Sequence, residues 1–166
     1  MIPCSFDDLK AELIADEDYR KSRYLCSQGK LTIGIGHNLE GKKFSQEVWA
    51  AIRLDHPHVD NALLDDQVRL SDEIIRQIFA EDCEDACEGL DSIWIGWRSL
   101  SERRKRALIN MSFQMGQARL AAFVRMWRAL RLHDFAAAAD EAKDSLWYVQ
   151  TQPSRTGRVL AQMREG

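Results

Sequence analysis

Apolar side chains at Phe6, Leu9, Leu13 and Ile14, with charged ones between them, follow the spacing of a short amphipathic helix over residues 6–15. An acidic loop, Asp16-Glu17-Asp18, comes next, which puts Glu17 just after the helix. From 23 to 38 the period changes. Tyr24 and Leu25 precede Ser27-Gln28-Gly29-Lys30, and Leu31-Thr32-Ile33-Gly34-Ile35-Gly36 sets β-branched residues against glycines, the pattern of a small β-hairpin or meander. Residues 39–70 are the least patterned, with Gly41, Pro57 and Asn61 as breakers around a short helical stretch near 45–54.

At Ser71 a long helix is predicted. Ser71 suits the N-cap, Asp72 and Glu73 the first turn, and Ile74, Ile75, Ile78 and Phe79 share one face; the run continues past Cys87 and is expected to stop at Gly89. At 1.5 Å per residue its roughly 17 residues reach about 25 Å, enough to bridge two lobes. Everything after Ser99 reads as helix: one run from Ser101 to Gly116, one through Leu120, Phe123, Met126, Trp127 and Leu130, one over 135–148, and a last from Ser154 through Val159, Leu160 and Met163. Trp127, Trp147, Phe113, Phe123 and the methionines are expected in the core. The expected fold is α+β and mostly α, a single domain over 1–166. A small N-terminal β-hairpin lobe, about 16–70, is joined by a connecting helix, 71–89, to a C-terminal helix bundle that takes in 1–15 and 90–166.

Composition narrows the class. Hydrophobic residues make up 45% of the 166, with only nine Gly and three Pro, as in a compact globular chain. No stretch approaches the roughly 20 apolar residues of a membrane span. Asp7, Asp8, Lys10 and Glu12 interrupt the place of a secretory apolar run, so no membrane anchor and a cytoplasmic origin are expected. The net charge of −3 conceals a division: residues 1–96 carry 10 Lys and Arg against 20 Asp and Glu, and residues 97–166 carry 13 against 6. A basic face attracts anionic polymers, but segregated charge is also how two lobes of one chain attract each other. Nucleic-acid binding has no groove-reading motif behind it.

The four cysteines, Cys4, Cys26, Cys83 and Cys87, are expected as thiols in a chain with ample core. Cys83 and Cys87, with His56 and His58, formally supply four zinc ligands, yet they lack the tight paired spacing of such sites. They read as small side chains on an acidic helix, and no metal is expected.

Chemistry concentrates between Glu17 and His37. An acid at a helix end, a polar group at Cys26 on a hairpin and a hydroxyl at Thr32 on the facing strand can converge on one cleft. Acid hydrolysis of a glycosidic bond needs such an arrangement: one carboxyl delivers a proton to the leaving oxygen, and a group on the other face manages water or the oxocarbenium charge.

In these residues the chain resembles the phage-type lysozymes, glycoside hydrolase family 24. The family motif is Glu, eight residues, Asp or Cys, five residues, Thr, met here by Glu17, Cys26 and Thr32. The hallmark Thr-Ile-Gly-Ile-Gly-His stands intact at 32–37, and Asp16-Glu17 matches the acidic pair at the end of the first helix. Residues 107–116 (ALINMSFQMG), Trp147-Tyr148, Gln150-Thr151, Pro153, Arg155, Arg158 and Val159 continue the likeness.

The resemblance implies a lysozyme-like fold and a muramidase that cuts the β-1,4 bond between N-acetylmuramic acid and N-acetylglucosamine of bacterial peptidoglycan. It implies that Glu17 is the general acid, Cys26 the second catalytic residue and Thr32 the residue that positions water. It further implies that Asn38, Phe113 and Gln114 contact sugar. Arg155 is implied to pair with the catalytic glutamate, and His37 with Asp82 to form a buried ion pair. A phage endolysin of this kind works without a cofactor and as a monomer, waiting in the host cytoplasm until a holin or equivalent opens the way to the wall.

Two features depart from the most basic, carboxylate-bearing members. Position 26 is a thiol, mostly uncharged at neutral pH unless its environment lowers its pKa from about 8.5. The sequence pI is about 5.8, which confines wall attraction to the arginines of the C-terminal part, Arg103, Arg104, Arg106, Arg119, Arg125 and Arg128. A lytic transglycosylase, which needs a single catalytic Glu, and a non-catalytic wall-binding or virion module are the alternatives.

Overall fold

A computed structural model of the chain describes residues 1–26, 29–59 and 64–166; Ser27 and Gln28 of the predicted turn and the breaker Asn61 lie outside the described residues. The chain divides into two compact units, Lys10–Asp82 on the one hand and Met1–Leu9 with Cys83–Gly166 on the other.

Helix α1 (Phe6–Glu17) begins where the Ser5 hydroxyl accepts from the Asp8 amide, and its Leu9 and Leu13 are fully buried. Asp16 and Glu17 are its last residues rather than part of a loop, a correction to the sequence expectation. Acidic side chains at 16 and 17 do not stop a helix. Asp18 does, by taking a left-handed backbone (φ 76°) while its amide still donates to the Ile14 carbonyl.

In the unit Lys10–Asp82, strands β1 (Arg20–Leu25), β2 (Leu31–Gly34) and β3 (His37–Asn38) form an antiparallel meander in that order. The sheet thus starts three residues earlier than the pattern suggested, and of the hairpin and meander that pattern allowed it is the meander. Ile35-Gly36 makes the turn from β2 to β3 with Gly34 at φ 65° and Gly36 at φ 71°, left-handed values that L side chains rarely take. A Cβ at Gly34 would lie 3.2 Å from Ile75 Cγ2, so the glycine also lets the sheet close on the next long helix. Helix α2 (Gln46–Asp55) is capped by the Ser45 hydroxyl and buries Val48 and Ile52.

Helix α3 (Asp72–Trp94) has 23 residues, about 34 Å at 1.5 Å per residue. The Ser71 hydroxyl caps it by accepting from the Ile74 amide, and Ile74, Ile75, Ile78 and Phe79 are buried along its first half. The expected stop at Gly89 is corrected. The helix runs five residues further, because Gly89 serves packing: a Cβ there would meet Gln117 Cβ at 3.2 Å.

In the second unit a 3-10 turn (Ile95–Ser99) leads to α4 (Glu102–Met115), α5 (Gln117–Ala121), α6 (Val124–Arg131), α7 (Phe135–Lys143), α8 (Leu146–Gln150) and α9 (Pro153–Glu165). Helix α4 packs on α9, and α7 on both α6 and α9, around Trp97, Leu108, Met111, Trp127, Leu130 and Met163. Two predicted runs are broken. The 135–148 run ends at Lys143, since Ser145 adopts an extended backbone and its hydroxyl caps a new helix by accepting from the Tyr148 amide. The run through Leu120 and Leu130 breaks at Phe123, whose backbone leaves the helical region. Trp127 and Trp147 are core as expected, whereas Phe113, Phe123 and Met115 are only half-buried and Met1 is exposed. The fold is α+β and mostly helical. No helix of the described residues is long and apolar enough to cross a membrane.

Candidate active site

Glu17 closes α1, and the chain reverses immediately after it. The Asp18 carboxylate accepts from the Tyr19 amide and from Arg20 Nε at 2.9 Å, which steers the backbone into β1. That contact with Arg20 holds the Asp18 carboxyl below the usual range. Cys26 follows β1 directly; its amide donates to the Lys30 carbonyl at 3.0 Å and its carbonyl accepts from Gly29 at 2.8 Å. Gly29 sits at φ 72°, the conformation this close return requires.

Thr32 lies in the middle of the sheet. Its Cα partner on β1 is Tyr24 and on β3 is Asn38, so Tyr24, Thr32 and Asn38 form one row across the three strands. Residues directly opposite in an antiparallel pair point to the same face. Thr32 is buried, and its hydroxyl donates to the Lys30 carbonyl at 3.0 Å. The Asn38 side-chain oxygen accepts from the amides of Glu40 (3.0 Å) and Gly41 (3.2 Å), holding the following turn.

Tyr24 ties this row to Glu17. Its hydroxyl donates to the Glu17 backbone carbonyl at 3.0 Å. Burial first, and then the negative charge of Glu17, Asp18 and Cys26, pushes the phenol up to about 12. The sequence treated Tyr24 only as a strand residue. Its single clue was its place two residues before Cys26, on the same side of an alternating strand, and only the register gives that place a meaning.

His37 Nδ1 lies 2.9 Å from Asp82 Oδ2, both side chains 4% exposed, and Lys42 Nζ donates to Asp82 Oδ1 at 2.6 Å. His37 stacks on Phe44 at 4.9 Å, and Phe44 meets Trp49 edge-on. This cluster fixes β3 against α3. Lys42 was missed in the sequence, where nothing separates it from its neighbour Lys43.

The remaining predicted residues belong to the other unit. Arg155, buried on α9, donates from Nε to Asn110 Oδ1 at 2.8 Å and from Nη2 to the Asn110 carbonyl at 3.4 Å. Gln114, on the last turn of α4, is held at both ends of its amide: Trp147 Nε1 donates to its oxygen at 2.7 Å, and its nitrogen donates to Thr151 Oγ1 at 3.1 Å. Phe113 beside it is half-buried. Asn110 and Thr151, the partners that orient Arg155 and Gln114, carry no mark in the sequence beyond ordinary polarity.

The structure therefore gathers Glu17, Cys26, Thr32, His37, Asn38 and Asp82 in one unit and Phe113, Gln114 and Arg155 in the other. Among the described residues, no group of three or more His, Cys, Asp or Glu side chains converges as a metal site would require.

No protein-family model matches the chain. Among curated proteins, "Probable T4-type lysozyme 2" of Dictyostelium discoideum is 29% identical over 161 residues, 95% of this chain and 94% of that protein. "Probable T4-type lysozyme 1" of the same organism is 28% identical over 95% and 94%. "Pre-baseplate central spike protein Gp5" of Enterobacteria phage T4 is 31% identical over 87% of this chain, which spans 25% of that longer protein. The chain is thus similar to T4-type lysozymes along nearly its whole length.

Proposed function

We propose that this protein is a muramidase, a lysozyme-type glycoside hydrolase that cuts the β-1,4 bond between N-acetylmuramic acid and N-acetylglucosamine in bacterial peptidoglycan, and that it serves as a phage endolysin. The observation that supports this most is that Tyr24 ties the Glu17 end of α1 to the sheet row of Thr32, while the Lys30 carbonyl accepts from both the Cys26 amide and the Thr32 hydroxyl, in a chain similar to T4-type lysozymes. Glu17, protonated, delivers its proton to the leaving glycosidic oxygen. Thr32 has spent its own proton on the Lys30 carbonyl, so its oxygen lone pairs are what it offers to an attacking water. Cys26 takes the second catalytic place, assisting that water or stabilising the oxocarbenium.

Asn38, whose oxygen is engaged in the turn, has its side-chain N–H groups to give a sugar. Phe113 offers an apolar face and Gln114 a clamped amide for the same purpose. Arg155, His37 and Asp82 support the site. The reaction uses no cofactor. In this reading the protein acts as a monomer in the host cytoplasm until a holin or similar pore opens the way to the wall.

A lytic transglycosylase is the second reading, favoured by the thiol at position 26 in place of a carboxylate. It makes no use of a water-directing Thr32. The test is the release of reducing ends from purified peptidoglycan. Glu17→Gln is expected to lose at least about a thousandfold in rate, since it removes the transferable proton. A variant that retained most of the native rate would overturn the assignment of Glu17.

A further inference from the structure

We infer that Tyr24 is a positioning residue for this reaction, its hydroxyl pinning the end of α1 to the sheet so that Glu17 keeps one station beside the Thr32 row. The inference rests on the proposed reading of Glu17 as general acid and adds to it a residue that neither the motif nor the similarity assigns.

The last carbonyls of a helix have no intrahelical partner, and an unpinned helix end frays. Glu17 is the final residue of α1, so the chain supplies its carbonyl with a donor from elsewhere: Tyr24 reaches it at 3.0 Å. The donor stands on a rigid base, because Tyr24 is paired across the ladder with Thr32, and Thr32 with Asn38. One side chain thereby sets the distance between the residue that carries the proton and the residue that faces the water.

Strand alternation adds the third motif residue. Leu25 is largely exposed while Tyr24 and Cys26 on either side of it are partly buried, and the phenol feels the charge of both Glu17 and Cys26. With its ionisation held near 12, the hydroxyl remains a neutral donor across the whole range in which a carboxyl acid can work. A displacement of about 1 Å at a catalytic group costs on the order of a hundredfold in rate, so a bond that fixes the helix end has a large effect without touching substrate.

Tyr24→Phe deletes the hydroxyl and keeps the ring. Initial rates on purified peptidoglycan are measured for the native protein and the variant from pH 4 to 9, with thermal unfolding recorded for both so that rates refer to folded protein. The inference predicts a fall in kcat of about tenfold at every pH, with KM within about twofold and the shape of the pH profile unchanged. Three results would overturn it: native kcat in the folded variant, a raised KM at unchanged kcat, which makes Tyr24 a substrate contact, or loss of one limb of the profile, which makes Tyr24 a proton donor. If the native protein itself released no fragments, the failure would lie with the muramidase reading and not with Tyr24.

Discussion

A free thiol ionises at about pH 8.5, so a cysteine at position 26 gives the proposed reaction a weaker and more pH-dependent second group than a carboxylate would. The backbone of Cys26 is fixed on both sides, by Lys30 and by Gly29. If the sulfur assists water or the oxocarbenium, Cys26→Ala lowers kcat by at least about tenfold, equivalent to about 1.4 kcal/mol of transition-state stabilisation. Alkylation with iodoacetamide, with peptide mapping to show that Cys26 carries the label, gives the same loss without altering the gene. Unchanged activity in a fully labelled sample would remove Cys26 from the mechanism. Thr32, by contrast, is fixed by burial and by its bond to Lys30, and its proposed role calls for no change of protonation state.

Among the elements, the end of α3 shows how an ion pair shapes the response to acid. Asp91 accepts from Arg98 Nε at 2.7 Å, from Arg98 Nη2 at 2.8 Å and from the indole of the fully buried Trp97 at 2.9 Å. The bond to Arg98 first, and that to Trp97 after it, hold the carboxyl below its usual range. A carboxyl with a lowered folded pKa contributes stability that is complete above the unfolded value and disappears as pH falls through the folded one. Asp91→Asn is therefore expected to lower stability by about 1–2 kcal/mol at pH 7, with the difference from the native protein shrinking below about pH 4. Urea unfolding at pH 7, 5 and 3 measures it.

The same helix marks the limit of what one dimension carries. Its start was legible, since a serine cap and two acids act locally. Its end was not, because Gly89 answers to Gln117, 28 positions away. The meander was legible from its glycines, and the spacing of Glu17, Cys26 and Thr32 marked the candidate site whose catalytic role is proposed above. The row that joins Tyr24 to Thr32, the Lys42 contact to Asp82 and the Asn110 support of Arg155 depend on register and packing, which no local pattern encodes.

For the molecule as a whole, the distribution of charge bears on the proposed action at an anionic wall. Much of the positive charge after residue 96 is engaged internally: Arg106 pairs with Asp8, Arg125 with Glu141, and Arg104 donates to the carbonyls of Met163 and Arg164. Arg103, Arg119 and Arg128 are exposed and make no ion pair among the described residues. If the proposed function holds, raising salt from about 50 to 150 mM is expected to slow lysis of susceptible cells less than about threefold, because the chain is net acidic at −3 and part of its basic charge is paired internally. A steep loss would show that long-range attraction contributes more than this distribution allows.

The most direct test of the central claim is mass spectrometry of the fragments released from purified peptidoglycan, with Glu17→Gln run beside the native protein. The account predicts hydrated, reducing muramic acid ends from the native protein and none from the variant. Anhydro-muramic ends, or no fragments from the native protein, would contradict it.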